Sequence, residues 1–235
     1  PPDYFSNDGQ LWGNPLYDWD YHAKSGFQWW IERMRHIGQQ TDLVRIDHFR
    51  GFESYWSVPY GEETAKNGEW LPGPGKALFE AMRAALGPLS IVAEDLGVIT
   101  PAVEALRRGQ GLPGMVVLQF EVGDAGFDME NIEENSVCYT GTHDNDTTAG
   151  WFQGNGDDTR SEVEIAATRK QTLKVTGGTP ESIHDDMIRL AFSSHSALAM
   201  APMQDFLGLG SEARLNRPGT TRDNWRWRMH ANALD

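Results

Sequence analysis

Cysteine is nearly missing from this chain of 235 residues, where Cys138 stands alone. An internal disulfide and a Cys-rich zinc site are therefore excluded. Basic residues are scarce too: 20 Lys and Arg face 34 Asp and Glu, for a formal net charge of −14. Nucleic-acid binding needs Lys and Arg to replace phosphate counterions, so the charge argues against nucleic acid as a partner. It argues equally against an anionic membrane surface. No apolar run approaches the ~18 residues of a spanning helix, and no signal peptide is visible. The chain opens Pro1-Pro2-Asp3 without Met, which suggests that it begins inside a longer protein. Internal repeats and low-complexity tracts are also lacking.

Tryptophan, by contrast, is abundant. Nine Trp accompany 10 Phe and 6 Tyr. An indole offers a large flat apolar face with one polar tip, suited to core packing and equally to the apolar faces of a sugar. Counted with its 25 glycines, the apolar share of the chain lies in the range usual for globular proteins, so a sizeable core is expected.

Along the chain, Asp3 to Trp19 reads as an ordered loop, and His22 to Gln40 as a helix with apolar residues near helical spacing. Five short apolar runs then alternate with helical stretches. The runs are Leu43–Asp47, Leu89–Ala93, Met115–Phe120, Val137–Thr142 and Ala197–Met203. Gly61 to Lys76 reads as a Gly/Pro-rich loop. Helices are expected over Ala77–Leu86, from Thr100-Pro101 to about Arg108, over Arg160–Val175 and over Pro180–Ser193. Thr at N-cap with Pro at N1 marks the second of these. Strands alternating with helices predict an α/β fold with a parallel sheet. A (β/α)8 barrel gathers the C-terminal strand ends on one face, where active sites lie. A doubly wound open sheet is the competitor. It usually carries G-x-G-x-x-G after its first strand, where this chain has Asp47-His48-Phe49-Arg50-Gly51.

Each of the five runs leads into a carboxylate: Asp47, Glu94-Asp95, Glu121, Asp144 and Asp205. Strand side chains alternate, so Arg45 and Asp47 share a face. A neighbouring Arg favours an ionised carboxylate, the form a nucleophile needs, but a structural salt bridge fits the same pattern. Glu94 and Asp95 point opposite ways, so at most one faces a common site. A protonated Glu beside an ionised Asp forms the acid and nucleophile pair of a retaining glycosidase, with carboxyls ~5–5.5 Å apart. His143-Asp144-Asn145-Asp146 suits hydroxyl recognition, a plain turn or, less readily, a metal. No serine lies in a nucleophile elbow, Pro72-Gly73-Pro74-Gly75-Lys76 lacks Walker A spacing, and Cys138 reads as a buried small hydrophobe. Spacing alone leaves open which three acids matter.

Six segments resemble the 4-α-glucanotransferases known as amylomaltase or disproportionating enzyme, in the α-amylase clan. They are PPDYFSNDGQLWGNPLYDW, LVRIDHFRGFESYWSVP, IVAEDLGVITPAVEALR, GLPGMVVLQF, YTGTHDNDTTAGWF and RLNRPGTTRDNWRWR, running from Pro1 to Arg228. The resemblance implies a (β/α)8 barrel to which residues 1–235 contribute strands four to eight, the N-terminal half being absent. It implies Asp47 as nucleophile, Glu94 as general acid/base and Asp144 as the carboxylate that stabilises the transition state. Arg45, His143, His48, Phe120, Asp124 and Asn216 match sugar-site residues, and Asp3, Tyr4 and Trp12 fall in a loop beside the cleft. The implied enzyme is cytoplasmic, acts on malto-oligosaccharides and α-1,4-glucans, and needs no metal or organic cofactor. An α-glucan hydrolase or debranching enzyme on the same barrel, or an inactive glucan-binding remnant, are the rival expectations. Glu121-Val122 departs from the family, which more often has apolar and aromatic residues there.

Overall fold

The computed structural model describes residues 1–2, 6–154 and 158–234. It divides into two compact units, Pro1–Gly114 and Met115–Asp235. Among the described residues, no helix is long and apolar enough to cross a membrane.

The first unit opens with α1 (Trp19–Lys24) and α2 (Gln28–Gly38). One helix was expected over this stretch. Gly26 (φ +63°) and Phe27 (φ +54°) break it, because two successive left-handed residues cannot continue a right-handed helix. Phe27 reaches the core by that turn and is buried. Then come β1 (Val44–Ile46), β2 (Ser54–Ser57), β3 (Glu69–Pro72), α3 (Gly75–Leu86), β4 (Ile91–Ala93) and α4 (Pro101–Gly109). The Thr100 hydroxyl accepts from the Val103 N–H and caps α4, as the Thr-Pro pair predicts.

Helices α2 and α3 each bury residues at positions i, i+1 and i+4: Trp30, Ile31 and Met34 on one, Leu78, Phe79 and Met82 on the other. Both stripes belong to one apolar cluster with Ile46, Phe49, Phe52 and Ile91. Each such side chain contributes about 1.5–3 kcal/mol by leaving water. Much of the tryptophan content is used here: Trp19 stacks on Trp30 at 5.9 Å, and Trp30 meets Phe52 edge-on at 5.5 Å.

Strands β1 and β4 pair in parallel, Val44 with Ile91, Arg45 with Val92 and Ile46 with Ala93. Strands β2 and β3 pair antiparallel, Trp56 opposite Trp70 with ring centroids 5.4 Å apart. Strand β3 lies inside the expected loop Gly61–Lys76, and the correction has a physical basis. The Gly and Pro around Glu69–Pro72 mask a strand whose stability comes from its partner, through a cross-strand indole pair worth some tenths of a kcal/mol or more. Gly73 follows β3 and donates its N–H to the Glu53 carbonyl at 2.8 Å, so tightly that a Cβ there would strike the Phe52 backbone.

Strand β5 (Gly114–Val117) starts at the last residue of the first unit, and the second unit continues with α5 (Leu118–Glu121), β6 (Ser136–Tyr139), α6 (Thr148–Gln153), α7 (Glu162–Thr176), α8 (Ile183–Phe192), β7 (Leu198–Met200) and α9 (Met203–Phe206). These strands form a sheet in the order β5-β6-β7, with β6 and β7 parallel. The α8 residues Ile183, Met187 and Ala191, four apart, enter a cluster with Leu118, Cys138, Trp151 and Phe152. Cys138 is fully buried, and burial pushes its thiol up to about 11. A Ser161–Glu164 capping box starts α7 and Gly177 ends it at φ +67°.

Three of the expected strands end earlier than their runs. Strand β5 stops at Val117 and the chain turns into α5, so Glu121 belongs to a helical turn. Strand β6 stops at Tyr139, four residues before His143. Strand β7 stops at Met200, and Gln204 and Asp205 lie on α9. Apolar character alone does not distinguish a strand from the short buried helix that continues it.

Candidate functional site

Two groups of polar residues coincide with the sequence expectations, one in each unit. In the first, β1 and β4 end side by side. Ile46 faces Ala93, so the next residue on each strand is Asp47 and Glu94. The Glu94 N–H donates to the Ile46 carbonyl at 2.9 Å, and Phe49 N–H donates to the Glu94 carbonyl at 3.1 Å. The ladder thus continues past the strands and fixes both acids on adjacent tips. Arg45, two residues before Asp47, reaches its Oδ1 with Nη1 at 2.8 Å, as alternation on one strand face requires. The Asp47 side chain is 75% exposed, open to a ligand from solvent.

The Glu94 carboxylate is held at both oxygens. His48 N–H donates to Oε2 at 2.7 Å and Leu96 N–H to Oε1 at 3.0 Å. His48 presents that N–H from a left-handed conformation (φ +49°, ψ +51°), uncommon for a non-glycine residue. Gly51 accommodates its ring, since a Cβ there would lie 3.1 Å from His48 Cδ2.

The adjacent acid behaves differently. Asp95 pairs through Oδ2 with Arg107 Nε of α4 at 2.9 Å, and Arg107 Nη1 also donates to the Leu112 carbonyl at 3.0 Å. The Asp95 carboxylate occupies the space that a side chain at position 114 would fill, which requires Gly114. Of the two consecutive acids, Glu94 goes to the strand tips and Asp95 to the interior.

In the second unit, the loop after β6 carries His143 and Asp144. Asn216 Nδ2 donates to Asp144 Oδ1 at 2.5 Å, and His143 Nε2 lies 3.3 Å from Asp144 Oδ2. Arg214 donates from Nη2 to the Asp144 carbonyl at 2.8 Å and from Nε to the Asn216 carbonyl at 3.0 Å. The Trp225 ring lies 5.3 Å from that of His143. A pocket of about 210 Å³ opens beside this group, with Thr142, His143, Asp146, Gln204 and Arg214 in its wall. Asp205, an acid at the end of a predicted strand, is buried. It accepts from Thr140 Oγ1 at 2.6 Å and from the Thr148 N–H at 2.7 Å and hydroxyl at 2.8 Å. It thereby ties the two ends of the loop that bears His143 and Asp144.

Other expected sugar-site residues are more scattered. Phe120 is exposed on α5, and Asp124 accepts the Gly126 N–H at 2.8 Å in a local turn. Trp12 is 71% exposed, its indole N–H donating to Gln10 Oε1 at 3.1 Å. Asp3 and Tyr4 lie outside the described residues. Arg214 and Trp225 stand inside the segment RLNRPGTTRDNWRWR, but the sequence assigned neither of them a role. The i, i+2 spacing of Arg214 and Asn216 was the available signal. Among the described residues, no cluster of three or more His, Cys, Asp or Glu is placed to hold a metal.

Comparison with known proteins identifies relatives of the chain. The sequence profile described as 4-alpha-glucanotransferase matches residues 1–233. A 4-alpha-glucanotransferase of Synechocystis sp. is 54% identical over 100% of this chain and 46% of its own length. That of Thermus thermophilus is 46% identical, over 97% of this chain and 46% of its own. The structure of an amylomaltase from Streptococcus agalactiae in complex with acarbose superposes with a TM-score of 0.90 at 38% identity, covering 100% of this chain and 47% of that one. An amylomaltase from Corynebacterium glutamicum, 22% identical with a TM-score of 0.80, shares the fold over 96% of this chain and 37% of its own. The chain thus spans about half the length of the relatives it matches. With the profile covering nearly every residue, the chain belongs to the 4-alpha-glucanotransferase family.

Proposed function

We propose that residues 1–235 are the C-terminal part of a catalytic (β/α)8 barrel, contributing strands four to eight, and that the enzyme transfers α-1,4-glucan segments between malto-oligosaccharides with retention. The observation that supports this most directly is the register of β1 and β4, which sets Asp47 and Glu94 on neighbouring strand tips. Parallel strands lie ~4.8 Å apart, a spacing suited to the closely set carboxyls of a retaining enzyme.

In the proposed reaction, Glu94 gives its proton to the glycosidic oxygen while Asp47 attacks the anomeric carbon. The leaving chain departs with a free hydroxyl, and the glycosyl unit stays esterified to Asp47. Glu94, now a carboxylate, takes the proton from the 4-hydroxyl of an acceptor sugar. That oxygen displaces Asp47 and restores the α-linkage. Arg45 keeps the nucleophile in place through its 2.8 Å ion pair. Asp144 and His143 hold ring hydroxyls as positive charge develops at the anomeric carbon. His48, Asn216, Phe120, Asp124, Asp3 and Tyr4 bind sugar around this centre, and Trp12 covers acceptor faces and excludes water. Acarbose in the Streptococcus agalactiae amylomaltase fits a substrate of linked sugar rings.

Maltotriose supplied to the full-length protein tests the reading. Transfer yields glucose and a ladder of longer oligomers, with the new linkage α by proton NMR. Shorter sugars alone would indicate a hydrolase, and an inverted product would remove Asp47 from the role of nucleophile.

A further inference from the structure

We propose that Arg214 is a positioning residue that sets the Asp144 carboxylate through Asn216. The inference rests on the reading of Asp144 as part of the reacting centre. A carboxylate that answers charge at one carbon must be held by groups that are themselves fixed. Asn216 supplies the hydrogen bond to Asp144 Oδ1 at 2.5 Å, but it lies on irregular backbone beyond the last helical turn of the chain. Its own rigidity does not come from secondary structure.

Arg214 supplies it. One guanidinium bridges two carbonyls that are 72 positions apart, Asp144 and Asn216, at 2.8 and 3.0 Å. With the amide of Asn216 on the Asp144 side chain, the contacts close a ring: main chain to main chain through Arg214, side chain to side chain directly. The planar fork of Arg serves two acceptors at once, which the single ammonium of Lys does poorly. The residue between them extends the same arrangement. The Leu215 carbonyl accepts the Trp225 N–H at 2.7 Å, and the Trp225 ring faces His143. Three consecutive residues therefore anchor the surroundings of both His143 and Asp144. Arg214 itself is half-buried, with its donors turned to backbone.

The test is a double-mutant cycle in the full-length protein. Arg214→Met and Arg214→Lys are made alone and together with Asn216→Ala, and kcat and KM for maltotriose transfer are measured beside thermal midpoints. Alone, Arg214→Met lowers kcat roughly ten- to hundredfold, the worth of a hydrogen bond to a charged group, with KM within about threefold. Arg214→Lys, which keeps the charge but not the planar fork, lies between it and wild type. In the Asn216→Ala background the same replacement costs less than about twofold, because the amide it steered is gone. An equal loss in both backgrounds overturns the inference, as does a loss confined to KM, or one that follows the thermal midpoint alone. If Arg214→Met does not fold, the cycle is read from Arg214→Lys. A wild-type protein that does not transfer glucan overturns the functional reading, and this inference with it.

Discussion

Asp95 and Arg107 form an ion pair at 2.9 Å with side chains only 12% and 5% exposed, directly beside Glu94 in sequence. The pair joins the end of β4 to α4, and Gly114 leaves room for its carboxylate. Replacing Asp95 by Asn leaves a buried guanidinium without its counter-charge. Loss of one partner of a buried pair costs about 3–5 kcal/mol. Urea unfolding of the full-length Asp95→Asn variant should show a loss of that size. A difference below about 1 kcal/mol would mean that water reaches the pair and screens it.

Asp47→Asn removes the proposed nucleophile while keeping its shape. Transfer from maltotriose should fall by about four orders of magnitude or more, in line with the loss of a residue that forms the covalent intermediate. Glucan binding, followed by calorimetry, should stay within about threefold. Retention of a tenth of the wild-type rate would assign the attack to another group.

Trp12 is exposed and its indole N–H donates to Gln10 Oε1. If it excludes water from the acceptor side, Trp12→Ala raises hydrolysis relative to transfer, by a few-fold in the ratio of reducing ends to ladder products. An unchanged ratio would leave Trp12 without that role.

Asp158 offers a test by pH. It is held by Arg160, whose Nε lies 2.9 Å from Oδ1, and hydrogen bonds from Arg160 pull its carboxyl below the ordinary value of 3.8. A carboxyl depressed by folding stabilises the native state fully above its unfolded value. The contribution fades as pH falls through the folded value. Asp158→Asn should therefore be less stable than its parent at pH 7, by about 1 kcal/mol for a partly screened pair. The two should converge below pH 3.8. A gap that stays constant with pH would trace the effect to packing.

Local features of the sequence were read correctly where their cause is local. Thr100-Pro101 starts α4 because a hydroxyl and a fixed φ act within three residues. Arg45 and Asp47 meet because alternation on one strand puts them together. The six motifs, with their strand-tip acids, identified the family over nearly the whole chain. The break at Gly26-Phe27 was also local, yet it escaped notice because the apolar periodicity continues on both sides of it.

Other relationships were decided only by tertiary packing. Nothing near Glu94-Asp95 says which acid turns inward; Arg107 decides it from the next helix, with space left by Gly114. Asp205 looked like one more strand-tip acid until Thr140 and Thr148 enclosed it. Most of the tryptophan excess that suggested sugar faces proved to be aromatic core or cross-strand pairing, while Trp225 lies against His143 and Trp12 stays exposed. Periodicity and spacing placed β1, β4, β5, β6 and β7, the helices α3, α4, α7 and α8 and the acids at two strand tips, since those follow from forces acting over a few residues. The destination of each polar side chain depends on partners dozens of positions away, whose hydrogen bonds and ion pairs offset desolvation only once the chain has folded.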